Sequence, residues 1–449
     1  MMIEGRGLVV ALAAVLAACG ASDSGQAAAS DSNAAAHAAN GDVATACTGD
    51  NGGITLPDGF CATVFADAVG GARHITVASN GDVFVQLLKA GRGLESGTGQ
   101  GGIVALRDID HDGRADTSAS FGSAGGTGIG LHGGFLYADD QKRIVRYQLA
   151  PGSLTPSGEA QAIVVDLPTG GHGARNFTFD SSGALYVNVG SRTNSCQQND
   201  RAKESPGHDP CTELRTRAGI WKFDANKQGQ KQSDETHFAT GIRNGMGLTI
   251  NPVDGKLYAT QHGRDQLLQS WPKLFDAKQS AENPAEELVQ VNKGDDFGWP
   301  YCFYSFEAKR LVLAPEYGGD GKKVGRCAEK KEPVTVFPGH WAPESAVFYT
   351  GTQFPTRYRG GVFVAFHGSW NRAPEPQAGF KVVFVPMKNG APGSEYEAFA
   401  DGFAGPDKSR NSANYRPMGL AQGPDGALYI ADDKDGRIWK VRYTGNAAP

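Results

Sequence analysis

The sequence predicts an all-β fold, a six-bladed β-propeller of mainly four-stranded antiparallel blades. Three observations point there. A turn-and-strand unit recurs six times along the chain. Glycine supplies 62 of the 449 residues, about twice ordinary usage, which suits many tight turns better than helices. Long amphipathic helical periodicity is missing.

The unit is plainest at Arg243–Thr260, RNGMGLTINPVDGKLYAT. Small residues and glycine lead into a short apolar run, then a Pro-x-Asp-Gly turn, then a second apolar strand. The Asp-Gly step provides the positive φ that such turns need. The other copies are Arg73–Val85 (RHITVASNGDVFV), Gly125–Ala138, His172–Val189 (HGARNFTFDSSGALYVNV), Trp341–Phe366 with a longer turn, and Arg416–Ile430. Between them lie further short strands at Gly102–Leu106, Ile144–Leu149, Gly219–Phe223, Glu287–Val291, Lys381–Val385 and Arg437–Tyr443. One short helix is expected over Ala277–Glu287. Short strands in a repeated unit imply radial repetition, which leaves few long exposed sheet edges. The repeats run through nearly the whole chain, so residues 51–445 read as one propeller domain.

The N-terminus reads differently. Leu8–Ala18 is an apolar run of signal-peptide length, too short for an ordinary membrane span. It ends in LAAC (Leu16–Cys19), which looks like a bacterial lipobox whose cysteine becomes the acylated first residue. Residues 1–19 are thus expected to be a lipoprotein signal, and 20–50 a flexible Ala/Ser/Gly-rich tether. An exported protein follows, lipid-anchored at Cys19 on the periplasmic face of a membrane. Gly20 after the cysteine resembles outer-membrane sorting.

Six cysteines remain beyond Cys19, an even number that favours disulfides in an exported protein. Fifteen connectivities are open; the sequence-local set Cys47–Cys61, Cys196–Cys211 and Cys302–Cys327 is the simplest. Each would close a loop of about 15–25 residues, stabilising by roughly 3 kcal/mol in the chain-entropy model. No C-x-x-C pair is present to suggest zinc, and C-x-x-C-H for covalent haem is absent. The net charge of −5 carries no long basic stripe, which argues against nucleic acid as a partner. The cluster Lys322, Lys323, Arg326, Lys330, Lys331 reads as a solvated loop.

Polar residues flank the apolar strands where packing does not ask for them: His172, Arg243 with Asn244, the His262–Gly263 turn, and Arg416. Each could cap a turn or bond neighbouring blades. Together, from several blades, they read as a site at one mouth of the propeller.

Longer motifs carry a resemblance. HGARNFTF, GIRNGMGL, ELVQVNKGDDFGWP, AFHGSWNR and YRPMGLAQGPDG resemble the glucose/sorbosone dehydrogenase family. Its members are six-bladed propellers that use pyrroloquinoline quinone (PQQ) and calcium to oxidise sugars and related aldehydes. SRTNSCQ, FPGHWAP and HGSWNRAPEPQAG resemble its L-sorbosone dehydrogenase-like branch. The resemblance covers most of the chain, from Leu56 to Val441.

It implies that His172 is the catalytic base, taking the proton from the substrate hydroxyl or aldehyde hydrate as hydride moves to the quinone. Imidazole, with an ordinary pKa of about 6.5, is largely neutral at pH 7 and suits this role. Arg243 and Asn244 would bind the quinone oxygens and stabilise the developing oxyanion. His262 would border the cofactor, and Arg416 and Arg372 would meet its carboxylates. Arg372 stands where the family has lysine, and the two are not interchangeable. Calcium would take the carbonyls of Gly263 and Arg264 and the carboxylate of Glu286 or Glu287. Here the sequence departs from the family: His262 replaces a glutamine, Arg264 a proline, and a loop of some twenty residues intervenes before Glu286.

A second candidate cation loop is Asp108-x-Asp110-x-Asp112-Gly113-x-x-Asp116, which resembles an EF-hand loop. The twelfth place holds Ala119, not Glu; the competing reading is a solvated acidic turn. The resemblance implies an aldose, a sorbosone-like aldehyde or a related polyol as substrate, and a separate electron acceptor such as a cytochrome or quinone. Two rival readings remain open: a calcium-dependent lactonase or hydrolase, and a non-catalytic surface propeller that binds a protein or glycan.

Overall fold

The computed structural model describes residues 47, 49–89 and 100–445. The expected signal peptide, Cys19 and the tether up to residue 46 lie outside the described residues. Among the described residues no helix is long and apolar enough to cross a membrane.

Six antiparallel sheets form the blades of a propeller. The first comprises Ala72–Val77, Val83–Lys89, Gln100–Arg107 and Thr117–Phe121. The second runs Ile129–His132, Phe135–Asp139, Ile144–Gln148 and Gln161–Val165, with Gln230–Lys231 added parallel at its edge. The third is Phe177–Phe179, Ala184–Val189, Gly219–Asp224 and Thr236–Thr240. The fourth is Leu248–Ile250, Leu257–Gln261, Glu286–Val291 and Thr335–Phe337, and the fifth Pro343–Phe348, Val362–Phe366, Lys381–Val385 and Glu397–Ala400. The sixth takes Pro417–Gln422, Leu428–Asp432 and Ile438–Tyr443 from the end of the chain and Phe60–Ala66 from its beginning. Each of the six sequence repeats supplies the first two strands of a blade.

The turns form as their residues dictate. In the fourth blade Gly255 sits at φ +69°, a conformation that costs glycine little. Its N–H donates to the Asn251 carbonyl at 2.8 Å. The Asp254 carboxylate accepts from the Lys256 N–H at 3.1 Å, an Asx contact that starts the next strand.

The core lies between blades. Ala184, Tyr186 and Ile220 of the third blade pack with Leu257, Ala259 and Val289 of the fourth. Phe354, Phe363, Phe384 and Phe399 pack with Leu428, Ile430 and Trp439 between the fifth and sixth. Each fully buried large apolar side chain contributes about 1.5–3 kcal/mol, so the blades form one cooperative ring.

The helix expected over Ala277–Glu287 is shorter, Ala277–Glu282. Asp276 and Gln279 form a capping box at its start. Asn283–Pro284 ends it, because the residue before proline is driven out of the helical region, and Glu286 already begins a strand. The disulfides Cys47–Cys61, Cys196–Cys211 and Cys302–Cys327 are all present.

Candidate active site at the propeller mouth

A cavity of about 280 Å³ opens on the face where the first strands of the blades begin and the second strands end. It is lined by His172, Arg243, Asn244, His262, Gly263, Asp265, Glu286, His340, Ala342, Trp370 and Asn371. His172 precedes the third blade's first strand. Arg243 to Asp265 bracket the first two strands of the fourth, and His340 to Asn371 bracket those of the fifth.

His172 is held by backbone shape and by its ring. A Cβ on Gly190 would stand 2.6 Å from the Cβ of His172, so only glycine lets the two segments approach. The ring Nδ1 lies 2.9 Å from Ser191 Oγ and 3.0 Å from the Ser191 carbonyl. The Ser191 hydroxyl donates to the Thr193 carbonyl at 2.7 Å. Nδ1 must therefore be the donor, which leaves Nε2 as a lone-pair base. Burial, reinforced by the nearby Arg243 charge, holds the pKa of His172 well below its ordinary value.

Arg243 is almost fully fixed. Nε donates to the Asn194 carbonyl at 3.1 Å, Nη1 to the Gly263 carbonyl at 2.8 Å, and Nη2 to Asn194 Oδ1 at 3.0 Å and Asp265 Oδ2 at 2.9 Å. Four of the five guanidinium hydrogens are thus used, and the one left is on Nη1. Burial opposes the Asp265 charge, yet Arg243, His340 and Arg201 together hold its carboxyl well below the usual range.

Asn244 presents an acceptor. His262 Nε2 lies 3.1 Å from the Pro343 carbonyl, so Nε2 carries the hydrogen and Nδ1 accepts from Asn244 Nδ2 at 3.5 Å. Asn244 Oδ1 is left buried without a partner among the described residues. The second Nδ2 hydrogen is not used by this bond, so Asn244 can offer a donor as well as an acceptor. His262 is pushed down to about 4 by burial and then by Arg243.

Strand alternation separates the two glutamates. Glu286 lines the cavity, its Oε2 accepting from the Gly263 N–H at 3.0 Å. Glu287 points to the other face and accepts from Gln261 Nε2 at 2.9 Å. Burial raises both to about 8. A cation in the cavity would find Glu286, the orphaned Asn244 Oδ1 and the Gly263 carbonyl. These are hard oxygens that fit calcium, and a buried carboxyl pushed toward its neutral form is what a cation would ionise. The Gly263 carbonyl already accepts from Arg243, so it is a weaker ligand than the sequence suggests.

One expected cofactor contact turns away from the cavity. Arg372 donates to the Ala281, Gly339 and Pro376 carbonyls and to Glu282 Oε1; it staples the inserted helix rather than the mouth. Arg264, expected to lend its carbonyl to calcium, is not among the residues lining the cavity, and its side chain is buried against Glu316 Oε1 at 2.5 Å. Arg416 is intermediate: Nε and Nη2 donate to the carbonyls of His367 and Gly368 at 3.0 and 2.8 Å, leaving Nη1 for a ligand. Asp433 bridges Arg73 and His367, each at 2.6 Å.

Asn194, His340, Trp370 and Asn371 lie within the motifs SRTNSCQ, FPGHWAP and HGSWNR but take no site role from sequence, and Asp265 stands in no motif; all five sit on irregular loops. In the acidic loop, ligand oxygens of Asp108, Asp110 and Asp116 lie within 4.8 Å of one another. Asp112 does not join them; it accepts from the Arg114 N–H at 2.8 Å. A larger cavity of about 610 Å³ is lined by the first strands of all six blades, but neither His172 nor Arg243 borders it.

Known proteins resemble the chain along most of its length. A Pyrroloquinoline quinone-dependent sugar dehydrogenase of Hypocrea jecorina is 23% identical over 421 residues, 87% of this chain and 89% of that protein. A Pyrroloquinoline quinone-dependent pyranose dehydrogenase of Coprinopsis cinerea is 27% identical over 236 residues, 45% of this chain and 30% of that enzyme. The chain thus spans under a third of the length of the Coprinopsis enzyme in that match. The structure of a Trichoderma reesei carbohydrate-active enzyme of family AA12 superposes with TM-score 0.70 at 18% identity, covering 87% of this chain and 98% of that one. The TrAA12-like family model matches residues 54–444, and the chain belongs to that family.

Proposed function

We propose that this chain is an exported PQQ- and calcium-dependent dehydrogenase that oxidises an aldose, a sorbosone-like aldehyde or a related polyol. One observation carries the reading. A histidine held as a neutral base with Nε2 unprotonated shares a cavity with an immobilised, almost fully satisfied arginine. Membership of a family whose relatives are PQQ-dependent sugar dehydrogenases supports it.

PQQ and calcium, when bound, would supply a hydride-accepting quinone polarised by a hard Lewis acid. The chain's own residues do the rest. His172 Nε2 accepts the proton of the substrate hydroxyl. Arg243 holds positive charge where negative charge develops, preorganised because Asp265 and Asn194 fix it beforehand. Glu286, Asn244 Oδ1 and the Gly263 carbonyl would hold calcium, and Arg416 Nη1 a carboxylate of PQQ. Electrons would leave to a separate acceptor. The apolar run and LAAC before Cys19 support anchoring to a membrane on its periplasmic face.

The test is reconstitution. Apo-protein supplied with PQQ and calcium should show a cofactor absorbance change and dye-linked oxidation of a sugar. A folded protein that binds no PQQ overturns the reading. Calcium-dependent ester hydrolysis without PQQ would instead favour a lactonase.

A further inference from the structure

Trp370 and Asn371 are consecutive, and both line the cavity on the fifth-blade side. Trp370 is 48% exposed, one of four large hydrophobics left exposed among the described residues; Ile109, Val253 and Leu274 are not among the residues lining this cavity. A flat apolar ring at a polar mouth needs a ligand with an apolar face.

The next residue specifies the other half of that ligand. His340 Nε2 lies 2.8 Å from the Ser280 carbonyl, so it donates there and Nδ1 is an acceptor. Asn371 Nδ2 then donates both its hydrogens, to Asp265 Oδ1 at 2.9 Å and to His340 Nδ1 at 3.3 Å. The carboxamide cannot flip without losing both bonds. Its Oδ1 is consequently committed as an acceptor, and it is buried with no partner among the described residues. A buried acceptor without a donor is costly to leave unmet.

We infer that Trp370 and Asn371 form the substrate clamp: Trp370 stacks on the C–H face of a pyranose ring and Asn371 Oδ1 accepts from one of its hydroxyls. Asp265 and His340 are positioning residues for this contact, because they fix which atom of Asn371 is offered. The inference rests on the dehydrogenase reading for its substrate class, and it adds the residues that select a ring over an open chain. A short aliphatic aldehyde has neither the ring face nor the neighbouring hydroxyl. The same residues therefore predict discrimination between the two classes.

The experiment separates this from the cofactor assignment. PQQ and calcium affinities are measured spectroscopically for the full chain and for Trp370→Ala, Trp370→Phe and Asn371→Ala. Steady-state kinetics then compare a pyranose with butanal. Binding of a methyl pyranoside to apo-protein is followed by tryptophan fluorescence, which does not depend on PQQ. The clamp predicts that Trp370→Ala and Asn371→Ala each raise KM for the pyranose about 10-fold or more, with cofactor affinities within about twofold. Trp370→Phe should recover most of the loss, and in both alanine variants kcat/KM for butanal should fall by a smaller factor than that for the pyranose. The glycoside should change the fluorescence of the unmodified chain and not of Trp370→Phe. Unchanged pyranose KM in both alanine variants overturns the clamp. So does loss of PQQ or calcium affinity, which would make these residues cofactor contacts. If the unmodified chain binds the glycoside but no PQQ, the clamp stands and the dehydrogenase reading falls.

Discussion

Arg243 and Asp265 form an ion pair of 2.9 Å in which the arginine side chain is only 4% exposed and the aspartate 15%. The same carboxylate also accepts from Arg201 and Asn371. One acid thus ties together the fourth blade, the fifth blade and the loop closed by Cys196–Cys211.

Asp265→Asn should therefore cost more than a single contact. Removing one partner of a buried pair leaves the other charge uncompensated, at roughly 3–5 kcal/mol. A lowered urea midpoint together with reduced kcat is expected. Because the Asp265 carboxyl is held below its unfolded value, its stabilisation is present above about pH 3.9 and fades as the pH falls further. An Asp265→Asn variant with the stability and turnover of the unmodified chain would remove Asp265 from this position.

His172→Ala should lower kcat about 10²–10⁴-fold while PQQ still binds. Burial and Arg243 depress the pKa of His172, so the neutral base survives into mild acid. The acid limb of kcat/KM should lie below about pH 6.5 rather than at it. Steady-state rates from about pH 4.5 to 8 decide this.

Glu286→Gln and Glu287→Gln should behave differently although the residues are neighbours. Glu286 faces the cavity and Glu287 faces Gln261. Calcium titration by calorimetry should weaken at least tenfold, about 1.4 kcal/mol, for Glu286→Gln. It should change little for Glu287→Gln. Equal losses would mean that alternation along this strand does not govern the metal.

The apo-protein should be more stable at about pH 6.5 than at about pH 8. Burial raises Glu286 and Glu287 to about 8 and Asp139 and Asp432 to about 7. Unfolded, all four are ionised well before about pH 6.5, so the folded state binds more protons. A raised carboxyl stabilises below its unfolded pKa, and that contribution is lost as the pH climbs through the folded value. Each group contributes at most about 1.4 kcal/mol per pH unit. Unfolded histidines are still about half protonated at about pH 6.5, so the buried histidines, held neutral by folding, offset part of this loss near the lower end of the interval. Denaturation midpoints that rise across this interval would contradict it.

Arg372→Ala should destabilise the chain yet leave PQQ affinity intact, because four of its five N–H donors are spent on Ala281, Gly339, Pro376 and Glu282, away from the cavity. Thermal melting and cofactor titration on one sample would show the split.

The strands were legible because each repeat has an apolar period of two and most punctuate themselves with a glycine turn. His172 and Arg243 stood out because they interrupt that pattern at fixed places. Arg372 was misplaced for a related reason. A sequence motif locates a residue along the chain, but the inserted helix at 277–282, itself irregular in the repeat, supplies a carbonyl and a carboxylate that turn the side chain away. Glu286 and Glu287 looked equivalent until strand register assigned their faces. Trp370 and Asn371 stand in the legible motif HGSWNR, but like Asp265 they lie on loops whose path is set by packing between blades, so their place in the cavity had no local signal.

The sixth blade also governs how the molecule comes into being. Phe60–Ala66 pairs with Ile438–Tyr443, and Thr444 bonds the Gly59 carbonyl across 385 residues. The ring closes only when these two strands pair, and contacts this distant in sequence form slowly. A prematurely terminated chain would expose the unpaired edge of its own first strand. The clasp thus makes closure depend on two distant segments at once, since loss of either strand leaves the other with an unpaired edge.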